Sequence, residues 1–382
     1  MAGRKIVVVG GGFGGVAAAR ISRVMLGLEH EVLLLDRNKR TYMCGSLPML
    51  VVGEREASKV SRSLGTLSNR GVRYLQAEVE EIDTESRTVT SSSGVFDYDY
   101  LVLAPGAIYD WKEIPGSSSA YSFYDLESAR RLRRKLRVFR RGRILIAVSK
   151  IPYKCPPAPF ETAMLLEWDF RRRGVRNDVD LHVFTPELMP IAIAGPKAGG
   201  KLISDMESRG IQVHTGMSVI EVASDGRQAS FSDGQVFDAD LVITIPVHKT
   251  PHFVEAAGLI GSSGWVDVNP GTLCSDSSGV YAIGDVNNVP MANGRGLPKA
   301  GVFASSEGET VGYNIAAEIL GEAPSVFAGV GHCFIGYNGT KSGIVSGEFL
   351  SADKPKVVFE SPSLRGYRAK ERFERDWRRF RV

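Results

Sequence analysis

The chemistry this chain could perform is concentrated in a strand-to-helix turn near its middle, RILIAVSKIPYKCPPAPFE, Arg143 to Glu161. Residues 143–149 have the pattern of a buried strand, and the turn after such a strand holds a dinucleotide pyrophosphate when it is rich in glycine. This turn contains no glycine. Its prolines remove backbone donors and hold φ near −65°, so it cannot cradle a pyrophosphate in the usual way, and it presents a thiol, Cys155. A rigid exposed loop is a poor core position, which makes Cys155 a candidate reactive residue. Glu161, six residues later, is either a helix-start acid stabilised by the helix dipole or a proton acceptor. Cys333, in HCFIG, taken alone is a small buried hydrophobe in a strand. Cys44 lies in YMCGS, and Cys274, in GTLCSDS, suggests only a structural thiol. The histidines form no metal pattern and no metal is expected: His248 and His252 are four apart, but Pro251 breaks the helix that would align them.

A second chemical feature opens the chain. KIVVVGGGFGG runs a strand (4–9) into Gly10, Gly12 and Gly15, a helix follows from Gly14 to Leu26, and EVLLLD (31–36) ends on Asp36, 21 residues after Gly15. A glycine pattern alone is weak, but strand, turn, helix, strand and acid together predict an adenine dinucleotide site. Asp36 suits a ribose hydroxyl, because a carboxylate accepts from hydroxyls and repels a 2′-phosphate. GVYAIGDVNN (279–288) is another strand ending in glycine and an acid, Gly284-Asp285.

These residues need a framework of alternating strands and helices. Residues 72–92 read as short strands and YDYLVLAPG (98–106) as a buried strand. The segment 107–239 has its own alternation: strands at 143–149, 179–184 and 211–214, helices near 159–173 and 197–209. DADLVITIP (238–246) resembles YDYLVLAPG, a helix is expected from about Lys299 to Leu320, and antiparallel strands follow from 328. The predicted fold is α/β. It has two Rossmann-like dinucleotide-binding domains, the first formed by 1–106 and 240–327 and the second, degenerate, by 107–239. A smaller C-terminal α+β region covers 328–382. With 382 residues, 43% hydrophobic and 24% charged, the chain is long enough for several domains of ordinary soluble composition. Lys plus Arg exceed Asp plus Glu by 47 to 43, too little to argue for nucleic acid. Four cysteines are too few for a disulfide framework. No window is apolar enough to span a membrane. The first strand is reached by Lys5, so no secretory leader is expected and the expected location is cytoplasmic, peripheral at the inner face of a membrane.

Across nearly the whole chain, KIVVVGGGFGG, YDYLVLAPGA, GVYAIGD and LPKAG resemble the two-dinucleotide-binding-domain flavoproteins. Within them, YMCGSLPMLVVGE, YKCPPAPFE, LPKAG and HCFIGYNG are similar to sulfide:quinone oxidoreductases and to the flavoprotein subunit of flavocytochrome c sulfide dehydrogenases. The resemblance implies FAD, with Gly10, Gly12, Gly14 and Gly15 at the pyrophosphate, Asp36 at the adenosine ribose and the Val79 backbone near adenine. It also implies Gly284 and Asp285 along the flavin chain and Lys299 near the pyrimidine edge, with Phe13, Arg37 and Ala104 on the same cofactor wall. It makes Cys155 and Cys333 a redox-active pair on one face of the flavin, Glu161 a general base, and Cys44 the source of a thioether to the flavin 8α-methyl. Quinone-reducing relatives often carry a third thiol before the 126–138 helix, where this chain has AYSFYDLES with Ser122 and Tyr124, so a two-cysteine mechanism is favoured.

The function so implied is oxidation of sulfide to sulfur or polysulfide, with quinone as acceptor. The alternative acceptor is cytochrome c, and a more distant reading is an NADH dehydrogenase or disulfide reductase, against which the CPP turn argues. A flavin-bearing scaffold would leave CPPAPFE and Cys333 without purpose. The last 18 residues hold eight Lys or Arg against three acids, and Phe373, Trp377 and Phe380 fall at helical spacing. This tail reads either as a basic amphipathic helix on an anionic membrane or as an aromatic stripe packed on its own domain. A homo-oligomer stays open.

Overall fold

In the computed structural model, which describes residues 3–380, strands that read as uninterrupted apolar runs form the middles of two parallel sheets. The first sheet has the order Val280–Ala282, Tyr100–Leu103, Lys5–Val9, Glu31–Asp36, Arg73–Gln76. Its central register pairs Ile6 with both Val32 and Tyr100. Ile6, Val8, Leu34 and Leu101 are fully buried, because a parallel sheet is covered on both faces. One cover is the helix Phe13–Met25, whose Ala17, Ala18 and Ala19 are buried. The helix Gly301–Leu320 lies against it at backbone distance: a Cβ on Gly308 would stand 2.2 Å from the Gly14 carbonyl oxygen.

The second sheet repeats this plan in the order Ile211–Thr215, Val179–Thr185, Gly142–Val148, Leu241–Ile245, all parallel. The expected boundary at 240 is therefore corrected. Residues 241–245 pair with the second sheet, Ile144 opposite Leu241, and are the counterpart of Tyr100–Leu103 rather than the start of the returning first domain. Each parallel sheet also has a three-stranded antiparallel meander, at 79–97 and at 219–238. The predicted helices appear at Ala158–Arg172, Pro196–Glu207 and Gly301–Leu320.

A third unit follows: antiparallel strands Val330–Gly336, Ser342–Glu348 and Lys356–Ser363, then the helix Leu364–Arg378, capped by the Ser363 hydroxyl accepting from the Gly366 N–H. Trp377 is fully buried and Phe380 nearly so. The Arg62 guanidinium lies between their rings, 4.2 Å and 3.8 Å from the centroids. The aromatic stripe of the tail is thus packed on the protein itself, the second of the two readings the sequence left open. No helix among the described residues is long and apolar enough to cross one.

Candidate active site

Between the first sheet, the proline turn and the C-terminal unit lies one cavity of about 1210 Å³. Its nucleotide end is built by the glycine turn, and each glycine has a distinct reason. Gly10 has φ +103°, and a Cβ there would meet the Ala104 carbonyl oxygen at 2.1 Å. At Gly12 a Cβ would meet no protein atom within 4 Å, so the backbone is open to the cavity. Gly12 also caps the helix without a side-chain hydrogen bond, leaving first-turn N–H groups for an anion. Gly14 faces the cavity as well. Gly15 corrects the expectation: it is absent from the cavity wall, and a Cβ on it would stand 1.8 Å from the Gly10 carbonyl oxygen, so it serves helix–strand packing.

Asp36 closes this end, its Oδ2 accepting from the Gly11 N–H at 2.6 Å and its Oδ1 from the Asn38 N–H at 2.7 Å. The Asn38 side-chain amide also donates to Oδ1, at 3.1 Å, so Oδ2 is the oxygen that keeps a lone pair for a ribose hydroxyl. Arg37 stands at the rim beside Glu78, and Val79 and Ala104 line the wall. Opposite, Gly284 turns at φ +75° and donates its N–H to the buried Glu307, with Asp285 facing the cavity. An open glycine backbone, unspent N–H donors and a ribose-competent acid in one cavity fit FAD.

Lys299 lines the cavity, but its Nζ is committed to the Asp285 and Asn287 carbonyls, at 2.8 Å and 2.9 Å, and lies 3.6 Å from the Trp265 ring centroid. Burial pulls it down to about 8. Its ammonium therefore braces the Gly284 turn.

The other end of the cavity gathers the thiols. Cys44, Cys155 and Cys333, nearly 300 residues apart in sequence at the extremes, line the same space as Glu161. All four cysteines of the chain are free thiols here, and Cys274 lies elsewhere. Cys155 is held at φ +54°, a left-handed conformation costly for a residue with a Cβ. Its N–H donates to the Lys299 carbonyl at 2.7 Å, and its carbonyl accepts from the Ala158 N–H at 2.8 Å. Burial pushes all three thiols up, Cys333 to about 12, so none stands as a free thiolate at neutral pH.

Several contacts at the site leave no pattern in the sequence. Lys370 of the C-terminal helix forms a buried ion pair with Glu161 across 209 positions. Burial raises the Glu161 carboxyl and the neighbouring ammonium opposes that rise. Glu374, one turn on, accepts from the Ser46 hydroxyl at 2.7 Å and the Arg55 guanidinium at 2.8 Å, fixing the segment that carries Cys44. Phe373 stacks on Phe13, centroids 6.2 Å apart, so the tail forms one wall of the cavity. Lys154, beside Cys155, also faces the cavity. A lone lysine before a cysteine carries no signal in sequence.

The family model for pyridine nucleotide-disulphide oxidoreductases matches residues 4–146 and 161–308, passing over the turn that carries Cys155. A mitochondrial sulfide:quinone oxidoreductase of Mus musculus is 26% identical over 302 residues, 75% of this chain and 66% of the mouse protein. The chain thus spans just under two-thirds of that relative. The sulfide-quinone reductase of Aquifex aeolicus is 25% identical over 331 residues, covering 83% of this chain and 77% of that protein. An alternative NAD(P)H-ubiquinone oxidoreductase C1 of Arabidopsis thaliana is 25% identical, covering 82% and 67%. The crystal structure of the sulfide:quinone oxidoreductase from Aquifex aeolicus has the same fold, with a TM-score of 0.88 at 21% identity over 99% of this chain and 92% of that one. Since the family match takes in strands of both parallel sheets and the glycine turn of the first, the chain belongs to the pyridine nucleotide-disulphide oxidoreductases and is an FAD-dependent oxidoreductase.

Proposed function

We propose that this protein oxidises sulfide through Cys155 and Cys333 and delivers the electrons to a quinone. The observation that carries the reading is the convergence of both cysteines and Glu161 on the cavity that holds the glycine cradle. FAD, bound along Gly10–Gly14, Asp36, Val79 and Gly284–Asp285, supplies a two-electron acceptor that can be reoxidised separately. In the oxidised enzyme a sulfur–sulfur bond joins Cys155 and Cys333. Hydrosulfide attacks one sulfur, the bond between the cysteines breaks, and a persulfide and a thiolate result. The high proton affinity of both cavity-lining thiols favours this route, because a sulfur–sulfur bond reacts without prior ionisation of either cysteine. Glu161 takes the proton of the persulfide, and Lys370 holds that carboxylate in place. A second hydrosulfide takes the outer sulfur as a hydrodisulfide, which leaves both cysteines reduced, and restoring the bond between them releases the two electrons that bound FAD would accept.

Quinone is favoured over cytochrome c because the mouse and Aquifex aeolicus relatives are sulfide:quinone reductases. Cys44, on the cavity wall, supports the cytochrome alternative and a thioether to the flavin. Acid-precipitated protein then stays yellow, whereas flavin released to the supernatant refutes the thioether. Contact with a membrane rests on charge alone, through exposed Arg365, Arg368, Arg372 and Arg375. The deciding experiment is stopped-flow mixing with sulfide, then with a soluble quinone or cytochrome c. Rapid bleaching and reoxidation by quinone is expected. Bleaching by NADH but not by sulfide overturns the proposal.

A further inference from the structure

The cations around the thiol end of the cavity are not alike. Lys370 is neutralised by Glu161, Arg55 by Glu374, and Lys299 is capped by two carbonyls. Lys154 lines the same cavity, and among the described residues no salt bridge to it is found. Its Nζ lies 4.8 Å from the centroid of the Tyr109 ring. The Tyr109 hydroxyl donates to the Tyr124 carbonyl at 2.7 Å, and its oxygen can still accept from the ammonium as a neutral partner. Tyr42, Cys44 and Asp285 share this part of the wall.

The position is rigid on both sides. Cys155, the next residue, is tied to the Lys299 carbonyl. The preceding residue, Tyr153, donates its hydroxyl to Glu187 at 3.0 Å and to the Pro156 carbonyl at 3.1 Å. An enclosed ammonium without a carboxylate at contact distance is compensated only by the Tyr109 hydroxyl and by Asp285 at longer range, and a small anion in the cavity adds a direct partner. The anionic phosphates of the nucleotide belong at the glycine turn, at the other end. With Glu161 paired to Lys370, Lys154 is the ammonium at the thiol end that no carboxylate contacts directly, Asp285 acting on it only at longer range. We infer that Lys154 binds the anionic sulfur substrate, a hydrosulfide-sized monoanion, beside Cys44 and Cys155. The inference rests on the sulfide-oxidising reading and assigns the charge form of its substrate.

Lys154→Gln and Lys154→Arg test it in the flavin-loaded protein. In Lys154→Gln the sulfide concentration giving half-maximal bleaching rate rises about tenfold to a hundredfold, the scale of one lost charge-assisted contact. The maximal rate changes little, and Lys154→Arg restores most of the affinity. A second readout needs no turnover: azide, an unreactive monoanion, perturbs the flavin absorbance of the wild type with a saturable dependence that Lys154→Gln loses. Unchanged half-saturation in Lys154→Gln overturns the inference. So does a loss of flavin, or a lower maximal rate with unchanged half-saturation, since either assigns Lys154 to the cofactor. If the wild type is not bleached by sulfide, the proposed function fails, and the azide titration still decides: loss of its effect in Lys154→Gln supports an anion site, and no effect in the wild type overturns it.

Discussion

The two parallel sheets share strand order and meander, yet their first turns are built in opposite ways. In the first, Gly10 supplies the positive φ and Gly12 leaves the helix N-terminus open to the cavity. In the second, the positive φ falls on Cys155, and the helix Ala158–Arg172 begins behind Pro157. The acids after the second strands diverge too. Asp36 braces the glycine turn and faces the cavity, whereas Glu187 accepts from the Tyr153 hydroxyl at 3.0 Å. A duplicated framework keeps its sheet because the sheet is the core. The turn can differ because it contributes little to that core, and here the second turn carries a cysteine and prolines where the first carries glycines.

The largest test of this contrast is chemical. Cys155→Ser and Cys333→Ser should each slow sulfide-driven flavin bleaching roughly a thousandfold, as expected for removing a reacting group, with flavin content unchanged. Full-rate bleaching in either variant breaks the assignment of the second turn. The first turn is tested by two glycines of different kinds. Gly10→Ala places a Cβ against the Ala104 carbonyl at positive φ and should destabilise by about 3 kcal/mol or more, read by thermal unfolding. Gly12→Val meets no protein atom, so it should fold normally but purify without flavin, which absorbance at isolation checks. Retention of flavin by Gly12→Val shows the cradle to be misplaced.

The buried Glu161–Lys370 pair sharpens the second turn's dependence on the tail. Lys370→Met leaves a carboxylate buried alone and should cost about 3–5 kcal/mol in urea unfolding. Adding Glu161→Gln should recover most of it, because the uncompensated charge is gone. No recovery means that packing of the helix, rather than the ion pair, is what was lost.

The smallest effect is a pH dependence on the first-sheet side. Burial lifts Glu307 to about 7 from an ordinary value of 4.5. Its folded-state value lies above the unfolded one, so its contribution to stability is complete below about 4.5 and is lost as pH rises through about 7. Glu307→Gln should flatten the stability profile over that window by at most about 3 kcal/mol. An unchanged profile places the titration elsewhere.

Much of this was legible from residue order. Apolar runs located the strands to within a residue or two, and the glycine spacing with Asp36 marked the nucleotide end. The proline-walled Cys155 marked the altered turn because a missing glycine is as readable as a present one. The assignment of 241–245 was misjudged because an apolar strand carries no label for its sheet. Gly15 was misjudged because a glycine needed for helix packing and one needed for a ligand look the same in sequence.

The local pattern of the chain determined two βαβ frameworks, a dinucleotide cradle in one and a thiol in the other, because strand periodicity, glycine and proline act through neighbouring backbone. Only the tertiary structure decided that Cys44, Cys155 and Cys333 share a cavity, that Lys370 meets Glu161, and that the aromatic tail packs inward beside Phe13. Such contacts join residues hundreds of positions apart and leave no period, so packing alone selects them.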